Sequence, residues 1–332
     1  KKNSSPFTLL PGLSSQWNAD GQMVVRERLH DDSGGSDYGE VFRYDRMGRL
    51  TRMWYDVRGP SGFATSDPVE GTNPYDLRKS WNLGKGYERE NVKTKLYNQT
   101  EATTAYTVND HYQVTAGPGS MTWNDNGYLT DRGADDFGWT ALGQLAQAAI
   151  SGGDTLDYTY DAFGRRVKTV NDSQTNRFVY HGWHMIGEYD STASQWLWQE
   201  APWNSGERML EHIALDTSDV DDDANTTEYR QYAVHEDFQD TVWGLSDTAA
   251  AVIERYFYTD PYGASETKNG AGTNIGAFAT NVFHSKRLQG GVVEKVSGLY
   301  DFRKRWLAGT AGFFISRDPI VAYDSYNSYQ GF

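Results

Sequence analysis

Apolar positions in this chain fall in short aromatic and Thr/Val-rich segments, broken repeatedly by Gly, Asn and Asp. That pattern reads as β-strands joined by turns. Helical periodicity is scarce. The best helical stretch, Ala141–Ile150, overlaps a turn signal and is read as strand and turn. One unit recurs four times: an aromatic residue, a polar residue, two variable residues, glycine, then a short polar–apolar run. The copies are Tyr44–Thr51, Trp123–Thr130, Trp139–Ala146 and Tyr160–Val167. Such recurrence predicts an array of similar units rather than one globular core.

The chemistry of the unit is that of a tight hairpin. Asp45, Asn124 and Asp161 suit the first position of a type I turn, where the side chain accepts backbone N–H groups. Thr140 holds that place in the third copy, so its turn is expected to be weaker. Gly48, Gly127, Gly143 and Gly164 stand where the chain needs positive φ. A type I turn followed by such a glycine is a short hairpin link with a bulge. The last three glycines are 16 and 21 residues apart, one hairpin each. The 79-residue interval after Gly48 has room for about four degenerate units. Trp81–Arg89 (WNLGKGYER) reads as an eroded copy.

Composition narrows the choices. By length alone, 332 residues could make two domains, but repeats can extend a single sheet. The net charge of −14 repels phosphate backbones and argues against nucleic-acid binding. No run of 18 apolar residues occurs, so no helical membrane span is expected. With no cysteine, disulfides and cysteine metal sites are excluded. The start at Lys1 rather than Met fits a piece of something longer.

YDRMGRLT and YDAFGRRV resemble the repeats of the YD-repeat, or Rhs, family of bacterial cell-surface and toxin-associated proteins, with relatives among Tc toxin subunits and teneurins. Tyr106–Ala116 and Met121–Thr130 resemble the family's linking repeats. Glu228–Gly263 resembles the stretch before the C-terminal core, and Ser297–Ile320 (SGLYDFRKRWLAGTAGFFISRDPI) resembles the Rhs-associated core itself. The resemblance spans roughly residues 36–332. It implies an all-β array of YD-repeat hairpins forming part of a spiralling β-shell, with the core segment plugging or curling into one end. The expected organisation is a weakly matched leader over 1–35 that continues upstream repeats, a repeat sheet over 36–263, and a core-like segment over 264–332. A piece of this length is expected to lean on the remainder of its own longer chain or on neighbouring copies.

The resemblance also implies chemistry. Toxin-associated members carry an aspartyl autoprotease built from an arginine and two aspartates. Arg305 matches the arginine and Asp318 the first aspartate. Two carboxylates sharing one proton are the chemical need, one acting as base and one as acid. This chain departs from the pattern: Asp-Pro is followed by Ile320 and Val321 instead of x-Gly, and Phe313 stands for an arginine. Asp324 lies too close to serve as the second aspartate, so the dyad is incomplete. Elsewhere, Asp219, Asp221, Asp223 and Asn225 alternate like calcium-loop ligands. Ala224 and Arg230 stand where such loops want Gly and Glu, and the loop reads chiefly as solvated acid. His181 and His184 flank Trp183, but on a strand they would point to opposite faces, against zinc. Trp196, Trp198, Trp203, Tyr256, Tyr258 and Tyr262 could stack glycans, although sheet packing is the commoner use. The expected function is a structural, encapsulating shell module at the cell surface or outside the cell. The alternatives are a self-cleaving toxin casing that encloses a C-terminal tail or cargo, and a carbohydrate-binding module.

Overall fold

The structure, a computed structural model, describes residues 12–32, 37–70, 75–202, 209–216, 228–280, 282–319 and 327–329. Asp219, Asp221, Asp223, Asn225, Trp203 and Asp324 lie outside the described residues. Among the described residues there is no α-helix, and helical turns are confined to Pro60–Phe63 and Leu288–Gly290. The protein is all-β, with antiparallel strands that each pair with their neighbours in sequence. A seven-stranded sheet runs from Leu13–Trp17 to Ala102–Ala105. A two-stranded ribbon, Thr107–Val108 with Val114–Ala116, leads into a fifteen-stranded sheet from Met121–Trp123 to Asn274–Ala277. Four short strands form a third sheet: Val292–Val293, Leu299–Asp301, Trp306–Ala308 and Phe313–Phe314. The first two strands of the seven-stranded sheet thus lie in the expected leader. The large repeat sheet extends past residue 263 to Ala277.

One bend recurs at many of the described hairpins. At Asp45 the backbone N–H donates to the Arg49 carbonyl over 2.9 Å, and Gly48 N–H donates back to Asp45 over 3.1 Å. Asp45 Oδ1 also accepts from the N–H groups of Met47 and Arg49, at 2.9 and 3.0 Å. Asn124 and Asp161 repeat this set. Thr140 repeats it with longer contacts of 3.3 and 3.1 Å, as its shorter side chain requires. Gly48, Gly127, Gly143 and Gly164 have φ between 76° and 81°. Trp17–Val24 (WNADGQMV) is a further copy of the motif, missed in the sequence and bent at Asn18, while Asn109, Asp237, Asp247 and Asn269 build the same bend without a full copy. The eroded copy needs a shift of two residues. Its bend starts at Gly84 and ends at Glu88, Leu83 takes the aromatic place, and Tyr87 takes the positive φ at 65°.

The repeated aromatic residue joins consecutive hairpins. Tyr44 Oη donates to the Met23 carbonyl, Trp123 Nε1 to Val114, Trp139 Nε1 to Leu129, Tyr160 Oη to Leu145, Tyr180 Oη to Arg166 and Tyr258 Oη to Val242, all at 2.7–2.9 Å. In each case the acceptor opens the return strand of the preceding hairpin, or lies at its first residues. A Tyr or Trp is needed there because the ring packs while its polar tip is satisfied.

The four-stranded sheet is buried on both faces. Tyr300, Leu307 and Phe314 pack with Trp198, Trp243 and Tyr258 of the large sheet. Leu299, Trp306, Phe313 and Ile315, on the opposite face or just beyond it, pack with Leu129, Leu145 and Leu156 of its earlier strands. Short strands with continuous apolar runs can be buried this way only when both sides are covered.

Candidate functional site

The core segment brings Arg305 and Asp318 together. Arg305 precedes the strand Trp306–Ala308, and its guanidinium lies over the Phe314 ring at 3.7 Å. Its Nη1 reaches Asp318 Oδ2 at 2.9 Å, with both side chains partly exposed. Asp318 N–H donates to the Ser328 carbonyl over 3.0 Å, and Phe314 N–H donates to Tyr329 over 3.0 Å, so the segment after the fourth strand folds back along it. Tyr329 then ties this end to the repeats. Its hydroxyl donates to the Gly127 carbonyl over 2.9 Å and accepts from Gln113 Nε2 over 2.8 Å. A side chain at Gly127 would run into Arg317 and Tyr329, so this glycine serves both its own bend and the docking of the core. Chemically, the pair holds a carboxylate beside a fixed guanidinium. That can orient a carbonyl or hold an anion, but supplies one of the two carboxylates that aspartyl chemistry needs.

A second anchor escaped the sequence reading. Arg166, the second arginine of YDAFGRRV, is buried among Tyr158, Phe178 and Trp306, whose ring centres lie 5.7, 4.6 and 5.2 Å away. Its Nε lies 3.2 Å from Asp301 Oδ2 in the Gly-Leu-Tyr-Asp of the core. Burial works against the charge of Arg166, yet Asp301 and the surrounding tyrosines raise its pKa above the ordinary arginine value. Its place in the repeat was the available signal, since the other copies carry Leu50, Leu129 and Leu145 where this one carries Arg166.

The other candidates behave differently. His181 and His184 close a tight hairpin and face each other as cross-strand partners, which corrects the expectation of opposite faces; the turn at Gly182–Trp183 reverses the chain between them. Trp198, Tyr256, Tyr258 and Tyr262 are buried in the core. Trp196 packs edge-on against Tyr189 at 5.4 Å. The four buried rings are therefore unavailable as a glycan-stacking platform.

Comparison with known proteins agrees with this architecture. Residues 82–199 match the teneurin YD-shell family model. The tRNA3(Ser)-specific nuclease WapA of Bacillus spizizenii is 26% identical over 208 residues, which are 62% of this chain and 8% of that protein. The Tc holotoxin pore of Photorhabdus luminescens superposes with a TM-score of 0.69 over 97% of this chain and 16% of that one, at 16% identity. A TcdB2–TccC3 complex gives the same TM-score, at 15% identity, over 97% of this chain and 17% of that one. The chain thus spans a small fraction of each of these relatives. Its repeated bends and neighbour-paired sheets are those of the YD-repeat β-shell fold, and residues 82–199 match the teneurin member of that fold at the level of a family model.

Proposed function

We propose that this chain is a wall segment of a secreted bacterial β-shell, in which the core segment is docked against the wall and the enclosed space holds cargo, such as the C-terminal tail of the same longer chain. The observation that carries this reading is the four-stranded sheet packed on both faces by repeat strands. A globular enzyme would use that interior for a substrate cleft. Here it is filled by the chain's own C-terminal segment. The solved complexes of similar fold, in which TccC3 is joined to TcdB2, support an assembly role. The test is protease protection in the full-length protein. Sequence following this chain should resist digestion while the shell is intact and become cleavable once it is denatured. Equal digestion in both conditions would remove the encapsulation reading.

The Arg305–Asp318 contact favours one finer reading, that the shell is a toxin casing with self-cleavage. The second carboxylate would then come from sequence beyond this chain. Intact-mass measurement of the full-length precursor should find a discrete break downstream of Asp318 that Asp318→Asn abolishes. A precursor that stays whole in the wild type ends this reading and leaves the shell untouched.

A further inference from the structure

Away from the Arg305–Asp318 pair, three buried side chains converge beside a cavity of about 220 Å³. Glu200 lies on the strand Gln195–Pro202, and His212 sits opposite it on Met209–Asp216. His284 comes from the segment leading to the turn Leu288–Gly290, and its ring meets that of His212 edge-on, with centres 4.8 Å apart. All three side chains are at most 1% exposed, and His212 Nδ1 and His284 Nε2 each lie 3.7 Å from the same oxygen, Glu200 Oε1. Neither nitrogen has a hydrogen-bond partner.

The tautomer of His212 follows from its other nitrogen. Nε2 lies 2.7 Å from the Val282 carbonyl, which can only accept. The proton therefore sits on Nε2, and the Nδ1 lone pair points at Glu200. A backbone carbonyl behind an imidazole is the usual outer support of a metal-binding histidine. Donor atoms on a tetrahedral ion with bonds of about 2.0–2.1 Å stand about 3.4 Å apart; here both nitrogens lie 3.7 Å from Oε1 and all three donor atoms lie within 4.8 Å of one another, so a small inward shift would close the site on an ion.

We propose that Glu200, His212 and His284 bind a zinc-type divalent transition-metal ion, whose fourth position faces the cavity. The ion ties two neighbouring strands of the large sheet to the segment that enters the buried four-stranded sheet. Two cations temper the site. Lys286 Nζ occupies Glu200 Oε2, leaving Oε1 for the ion. Arg287 Nη1 lies 3.0 Å from His284 Nδ1; ligation through Nε2 requires the ring proton on Nδ1, so the two Nη1 protons go to the carbonyls of His284 and Lys286, at 2.8 and 3.0 Å, rather than to the ring. Replacing Lys286 by Gln therefore strengthens metal binding. The proposal does not depend on encapsulation.

The test is titration of chelator-treated protein with Co(II), read by visible absorbance, followed by displacement with Zn(II). The expected result is one Co(II) per chain with tetrahedral-type bands, loss of those bands on adding Zn(II), and a melting temperature that Zn(II) raises and chelator lowers. His284→Gln, which keeps the side chain polar and of similar size, should weaken binding at least about tenfold, while Lys286→Gln should tighten it. Folded wild-type protein that takes up no Co(II) overturns the proposal without any variant. So does binding that His284→Gln and His212→Gln leave unchanged, because the ion would then sit elsewhere.

Discussion

A positive φ is the most local demand that this fold makes on its sequence. At Gly127 the φ of 80° suits glycine, and a β-carbon would also crowd Arg317 and Tyr329. At Ala250 the same bend has a φ of 64° on an exposed alanine. The left-handed region costs a non-glycine residue about 1–2 kcal/mol. Gly127→Ala should therefore destabilise by about 2 kcal/mol or more, whereas Ala250→Gly should stabilise by about 0.5 kcal/mol once its added chain entropy is counted. Urea unfolding of the two variants checks the opposite signs. The bend carboxylates add a pH dependence. Burial nudges Asp45 and Asp161 upward, but the backbone N–H and guanidinium of Arg49 and Arg165 win and hold both carboxyls below their ordinary values. The folded state then takes up these protons less readily than the unfolded chain. Their contribution is complete above about pH 4, the unfolded value, and is lost as pH falls through the depressed one. Both groups are solvent-facing, so the effect is small. Asp45→Asn with Asp161→Asn keeps the side-chain acceptor, as Asn124 does, and should flatten this acid limb; an unchanged limb assigns it to other groups.

A hairpin in this protein is held to the next by one polar tip. Tyr160→Phe keeps the ring but leaves the Leu145 carbonyl without the bond that Tyr160 Oη makes at 2.8 Å. The expected loss is about 1 kcal/mol by chemical denaturation, and Tyr180→Phe should match it. Equal stability of the wild type and both variants would mean that the clamp contributes nothing beyond packing. Arg166→Ala is a harsher change. It strands Asp301, 8% exposed, without its cation and removes a guanidinium from between three rings. The cost should be about 3 kcal/mol or more, with Asp301→Asn in the same background restoring part of it. These elements differ in how openly the sequence declares them. The hairpins from Trp123 to Val167 are legible because bend, glycine and aromatic recur in order. Those at Asn109, Asp237 and Asp247 are not, because Tyr112, Asp240 and Ala250 take the glycine's place. A search keyed on glycine passes over them, and it misplaces the Gly84 bend by two residues.

For the whole molecule, the third sheet is the keystone of the packing. Strands of two or three residues cannot stand alone in water, and the repeat sheets need the apolar faces those strands cover. A chain ending before Val292 should lose cooperative melting and bind a hydrophobic dye, while the intact chain does neither. A truncated chain that melts as sharply as the intact one would show that the repeat sheets complete their own core. Other long-range contacts join the two large sheets, among them Lys79 with Asp260 at 2.7 Å and Arg26 over Trp243 at 4.4 Å. The sites depend on these long-range contacts. Arg305 and Asp318 could be paired in advance only through the family resemblance, and Glu200, His212 and His284 carry no spacing signal because they come from three separate stretches of chain.

Sequence alone determined the hairpins, because each bend closes within five residues and its chemistry is written in adjacent side chains. It also determined neighbour pairing, since short links leave antiparallel contact as the cheapest way to satisfy the backbone. Only the tertiary structure decided what fills the interior and which polar groups meet there. Burial on both faces, the Arg166–Asp301 pair and the Glu200 cluster all join residues far apart in the chain, and their positions follow from how the sheets close on one another rather than from any local preference.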